Sequence, residues 1–227
     1  MEVYNWIVSN KELLKIFYGL IIVAICSIIV LKADRLFRIS LHQGIRYFRN
    51  AFFFYGLAFF TRYFLGSYFL SPFINEIYSI FLKIFLEFFL IIAGFFLLYS
   101  LIWKKIEGTK NPAFSSLANP TILIFYLFSV IIIVIDYLWD TYFFMFISQI
   151  LIFFLASVIS LINLYQNQKH DFAKFYFIAM AFSLIAWLLN SFSALFLDWN
   201  YLIIIIVSSI NIIIFLLFLY GVLKITK

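Results

Sequence analysis

Between residues 201 and 220 only Ser208, Ser209 and Asn211 interrupt side chains that are otherwise aliphatic or aromatic. A helix needs about 20 such residues to cross the hydrocarbon of a bilayer. The chain repeats this feature over 13–31, 51–70, 77–103, 121–138, 141–164, 175–197 and 201–223. Strand-type alternation is absent from all of these stretches, so helices rather than a barrel are expected. The reading is an all-α fold over residues 1–227: a single polytopic domain, a seven-transmembrane-helix bundle.

Composition agrees. The chain is 67% hydrophobic and 11% charged, against about 45–50% and 25% in soluble domains. A soluble enzyme, a disordered tail and a disulfide scaffold are all excluded, the last because Cys26 is the single cysteine. The net charge of +6 is explained by position and implies no nucleic acid.

Lys32, Arg35, Arg38, Arg46 and Arg49 follow the first stretch; Lys104, Lys105 and Lys110 follow the third. Lys169 and Lys174 follow the fifth, and Lys224 and Lys227 the seventh. The alternate connections hold Glu2, Glu12, Glu76, Asp140 and Asp198, with Lys11 and Lys15 as exceptions. The positive-inside rule then sets the N-terminus outside and the C-terminus inside a cell membrane crossed several times. The first stretch runs directly into Lys32 and Arg35 and is expected to stay as an anchor rather than to be cleaved. Arg35, Arg38, His42, Arg46, Arg49, His170 and Lys174 would form an inner face for anionic lipid headgroups or a partner protein. A plain orientation signal is the simpler reading of the same residues.

A second pattern is internal. His42, Arg46, Phe48, Ala51, Phe54 and Ala58 align without gaps with His170, Lys174, Tyr176, Ala179, Phe182 and Ala186, and Arg62 then falls on Asn190. Stretches one to three and five to seven would be parallel repeats with the fourth as linker. This 3+1+3 arrangement is similar to that of the SWEET sugar carriers. Their hinge prolines have no counterpart, since Pro72, Pro112 and Pro120 lie in loops or at a helix start. A retinal protein is excluded, because the last stretch contains no lysine for a Schiff base.

Ionisable groups at hydrocarbon depth are costly and functional by default. On a helical wheel Gly44, Ala51, Tyr55, Ala58, Arg62 and Gly66 share one side, and Phe53, Leu57, Phe60 and Phe64 the other. Small residues mark helix contacts, so Arg62 should face the bundle interior. Glu87 is its expected partner, since the two sit at matching depths of roughly 12 and 15 Å at about 1.5 Å per residue. Lys83 would compete for Glu87 or snorkel outward. Asp136, Gln149, Asn190 and Asn211 fall in the same outer half, giving an outward-facing site for a small polar or charged ligand. The same side chains would also serve as interhelical glue.

Enzyme constellations are missing: no HExxH, no cysteine cluster, no phosphate loop and no GxSxG elbow. No catalytic residue, metal or cofactor is therefore assigned. Three roles stand beside one another. One is a receptor-like, sensory or accessory module signalling to a partner protein. Another is a small-solute transporter or channel of SWEET-like architecture. The last is a structural or lipid-organising protein. A closed Arg62–Glu87 pair would favour that last role.

Overall fold

A computed structural model describes residues 10–66, 76–107, 120–166, 171–196 and 201–225. It is built of helices, with no strand among the described residues. They are α1 (Lys11–Ser40), α2 (Gln43–Phe60), α3 (Glu76–Glu107), α4 (Pro120–Leu138), α5 (Phe143–Gln166), α6 (Asp171–Phe196) and α7 (Tyr201–Ile225). α2 continues into a π-helical turn, Thr61–Leu65.

Six of these helices are long and apolar enough to cross a bilayer. The exception is α2, whose apolar character is diluted by Gln43, Arg46, Arg49 and Asn50. Without water in hydrocarbon each backbone must satisfy its own hydrogen bonds, which is why apolar stretches of this length become helices. The outer surface is correspondingly apolar, with Leu127 and Val134 on α4 and Leu151 and Phe154 on α5 all exposed.

The helices extend past the apolar stretches at the basic end. The expected connection over 32–50 shrinks to Leu41 and His42, and Lys32, Arg35 and Arg38 are helical. The charges that suggested a loop instead hold two helices together, because Asp34 accepts hydrogen bonds from Arg38 and from Arg49 of α2. α1 stops where Leu41 turns left-handed at φ 54° and donates its N–H to the Phe37 carbonyl at 2.8 Å. That local conformation is unfavourable for a side chain bearing a Cβ, and it reverses the chain within two residues.

Neighbouring helices close a ring in the order α1–α2–α3–α5–α6–α7 and back to α1. α4 packs outside this ring, on α3 and α5. Close approaches rest on small residues. A Cβ on Gly44 would lie 2.6 Å from the Trp103 indole nitrogen, and one on Gly19 would overlap the Tyr63 side chain. The wheel reading holds as far as Ala58: Gly44, Ala51, Tyr55 and Ala58 are buried, while Phe53 and Phe60 are exposed; Arg62 and Gly66, read on the buried side, are exposed.

Candidate functional site

The ring encloses a cavity of about 340 Å³, within the range of small-molecule sites. α1, α2, α3, α5, α6 and α7 all contribute to it. One end holds Lys15, Arg62, Asn190, Ser208 and Asn211, and Arg62 and Gly66 are exposed there. Deeper walls are Phe59, Phe146, Trp187 and Phe215. Lysine and arginine line the cavity, and no Asp or Glu does among the described residues.

Arg62 reaches this place from the π-helical turn, its guanidinium carbon 5.6 Å from the Tyr63 ring centroid. Such turns insert one residue and re-aim the side chains that follow. Seven residues earlier, about 10 Å along the helix, Tyr55 also lines the cavity, with its hydroxyl oxygen closed in by protein atoms. That residue is 4% exposed, and its oxygen has no hydrogen-bond partner. A buried polar group left unpaired costs about 1–3 kcal/mol. On the opposite wall Asn211 donates to the Tyr18 hydroxyl at 3.3 Å, bridging α7 to α1. Asn190 donates to the carbonyl of Ala186 on its own helix.

The cavity ends on an aromatic floor. Phe52 and Phe218 line it with ring centroids 5.1 Å apart, and Phe48 and Tyr176 pack behind them. The Tyr176 hydroxyl is 3.2 Å from Ser100 Oγ of α3, which ties the floor across the ring.

The outer-half polar residues thus separate into two groups. Arg62, Asn190 and Asn211 line the cavity; Glu87, Asp136 and Gln149 stand outside its lining. The Arg62–Glu87 pair is not formed, since neither Glu87 carboxyl oxygen has a hydrogen-bond partner. Matching depth did not suffice, because Glu87 lies about 60–100° around α3 from Leu86 and Leu90, which face the cavity, at 100° per residue. Lys83 instead turns to Asp140, with Nζ 3.0 Å from Oδ1, and lies 4.6 Å from the Tyr142 ring centroid.

Asp136 is fully buried and caps α5. It accepts from Thr141 Oγ1 at 3.1 Å, Phe144 N at 3.0 Å and Met145 N at 2.7 Å. An anionic side chain at a helix N-terminus satisfies orphan N–H groups and meets the positive end of the dipole. Gln149 donates to the Leu90 carbonyl at 2.9 Å, stitching α5 to α3. In the connector between α4 and α5, burial pushes the Tyr142 phenol above its ordinary value.

At the basic end Arg46 lies over the Phe37 ring, His42 meets Trp103 edge-on, and Lys224 lies over Phe175. Arg49 pairs with Asp34, Lys174 and Arg35 lie at the same end, and His170 falls outside the described residues. Lys15, Tyr18 and Ser183 escaped the sequence reading of the site. Lys15 did carry a signal, as an exception to the acidic end, and Tyr55 shares the helical side of Arg62. Tyr18 and Ser183 carried none. No family model, curated protein or solved structure matches the chain.

Proposed function

We propose that this chain is a non-enzymatic multi-pass membrane protein that binds a small organic anion in the central cavity and carries it across the membrane. The observation that carries the reading is a cavity of about 340 Å³ that gathers Lys15 and Arg62 with Asn190, Ser208 and Asn211 at one end. Charge-assisted hydrogen bonds from arginine suit a carboxylate, sulfonate or phosphate head. The aromatic walls suit an apolar body.

Carriage rather than sensing is favoured by a two-unit architecture, α1–α3 and α5–α7 joined by α4, in which α2 crosses the membrane with the other six. The offset that takes Ala51 to Ala179 takes the buried Phe52, Tyr55 and Ala58 onto the buried Met180, Ser183 and Ala186. It also pairs cavity residues: Tyr18 with Phe146, Phe59 with Trp187, Arg62 with Asn190, Leu86 with Ile214 and Leu90 with Phe218. Phe48 and Tyr176 are related by the same offset and meet with ring centroids 6.0 Å apart, as residues beside a pseudo-twofold axis would. A substrate site at the interface of two such repeats is the arrangement of many carriers. With the N-terminus outside, the cavity faces outward and the aromatic floor is the closed inner gate.

The test begins with thermal stability of the purified protein against a panel of aromatic and aliphatic carboxylates and sulfonates, followed by flux of the best stabiliser into proteoliposomes. Stabilisation lost in Arg62→Ala, with flux in the wild type, is expected. Stabilisation without flux would return the protein to the sensory reading. Indifference of every anion to Arg62→Ala would leave the cavity residues as interhelical glue.

A further inference from the structure

The buried carboxyl of Glu87 has no use in the anion cavity, yet it is 1% exposed and neither oxygen has a hydrogen-bond partner. It lies on the side of α3 that meets α5. There Gln149 crosses to the Leu90 carbonyl with its own Oε1 also unpartnered, 3.1 Å from where a Cβ on Gly94 would stand. This α3–α5 contact is one of two seams between the proposed three-helix units. At the other, α7–α1, the repeat offset puts Phe215 in the place of Glu87, and the polar contact there is the bond between Asn211 and Tyr18. One seam thus carries a neutral hydrogen bond, whereas its counterpart buries an ionisable group.

The charged and titratable neighbours do not neutralise that group. Lys83, one turn along α3, is held by Asp140 and lies over Tyr142. Asp136 of α4 is the acidic neighbour, and its oxygens are engaged by Thr141, Phe144 and Met145. From the π-helical turn after α2, Arg62 lines the cavity. α5 brings Gln149 and no ionisable side chain before Tyr165. An isolated ionised carboxylate away from water costs far more than a neutral polar group. The closed seam therefore accommodates Glu87 as the neutral acid, and a carboxylate requires the seam to open to water.

We propose that Glu87 is a proton-binding site at the α3–α5 seam that couples passage of the anion to a proton. When the seam admits water, the carboxylate takes a proton from a hydronium ion: an O–H bond of the hydronium breaks, the carboxyl O–H forms, and neutral water is left. The seam closes over the neutral acid, the proton returns to water on the other side when the seam opens there, and the unloaded protein resets with the seam still hydrated and Glu87 as the carboxylate. One proton moving with one monoanion makes the cycle electroneutral. A metal ion fits the site less well, because the nearby carboxylate of Asp136 is already committed to the α5 N-terminus. The proposal rests on the carrier reading for its coupling, though not for the proton site itself.

The experiment uses the full chain in lipid and reads the proton without any ligand. Infrared spectra across a pH series should show the C=O stretch of a protonated carboxyl that titrates in the wild type and is lost in Glu87→Gln. Spectra of wild type and Glu87→Gln that coincide at every pH overturn the proton site. For coupling, uptake of 4-hydroxybenzenesulfonate, an anion impermeant in its own right, is followed in vesicles containing a pH dye. Wild-type uptake should rise at least fivefold with an inward proton gradient and should carry protons inward. Glu87→Gln should keep its binding of the sulfonate within threefold and lose the gradient dependence, and Glu87→Asp should restore part of it. Sulfonate uptake indifferent to the gradient, or driven by sodium instead, overturns the coupling while the carrier stands. No uptake in the wild type, with the infrared band present, overturns the coupling together with carriage and leaves the proton site standing.

Discussion

Asp136 gives the sharpest separation between a ligand residue and a structural one. Its carboxylate accepts two backbone N–H bonds and one hydroxyl bond at the start of α5, all within 2.7–3.1 Å, at a position with 0% exposure. Asp136→Ala leaves the N–H groups of Phe144 and Met145 without that acceptor. Each stranded buried donor costs about 1–3 kcal/mol, and loss of a helix cap by itself typically costs about 1 kcal/mol. The variant should therefore lose about 3–5 kcal/mol. Asp136→Asn keeps one acceptor oxygen but loses the charge and turns an NH2 towards one donor, so about 1.5–3 kcal/mol is expected, the worth of one hydrogen bond to a charged group. Steric trapping in bicelles reads these values as unfolding free energies under native conditions. Anion stabilisation of Asp136→Asn, referred to its own baseline, should equal that of the wild type, because Asp136 does not line the cavity. An Asp136→Ala protein within about 0.5 kcal/mol of wild type, well under one buried hydrogen bond, would refute the capping argument.

Other residues give independent tests. Gly19→Val should force α1 from the π-helical end of α2, since even a Cβ there overlaps Tyr63; overpacking of this kind costs about 1–3 kcal/mol, readable by thermal unfolding in detergent. Arg49→Ala should cost no more than about 1 kcal/mol, because its pair with Asp34 is 24% and 29% exposed on the two side chains; a loss of several kcal/mol would place that pair in a buried network instead. The Phe48→Ala, Tyr176→Ala double variant removes half of the aromatic floor, and a cysteine-reactive probe added from the basic end should then label Tyr55→Cys in that background. Labelling no faster than in the parent with the floor intact would mean that the floor is not the barrier. Arg62→Ala should weaken anion binding about tenfold, or about 1.4 kcal/mol, while Arg62→Lys should recover part of it.

Much of the architecture was legible because hydrocarbon makes each helix declare itself alone. The apolar side of α2 could be read from Phe53 and Phe60 against Ala51 and Ala58, since one side faces lipid and the other a neighbouring backbone. The same wheel placed Arg62 on the side that lines the cavity, where it is exposed rather than buried. The ends of α1 and α2 were not legible, because charges beyond the hydrocarbon stop an apolar run without stopping a helix. Arg35 and Arg38 therefore looked like a loop and are helical. Glu87 misled for a related reason: depth along a helix is a sum over residues, whereas a contact also needs an angle about the axis relative to a partner.

The sequence by itself determined an all-helical chain with long apolar spans and basic residues gathered at one end. Each of these is a property of one helix, or of a comparison between two, and needs no knowledge of packing. Only the tertiary structure decided that α4 stands outside a ring of six helices. It alone set Arg62, Tyr55, Asn190 and Asn211 around a common cavity and left Glu87 apart from them. The physical reason is that lipid is as apolar as leucine, so apolarity does not say which helix faces meet. That choice rests on small-residue contacts such as Gly19 on Tyr63 and Gly44 on Trp103, and on sparse polar bridges from Asn211 and Gln149. These exist only once the helices are side by side.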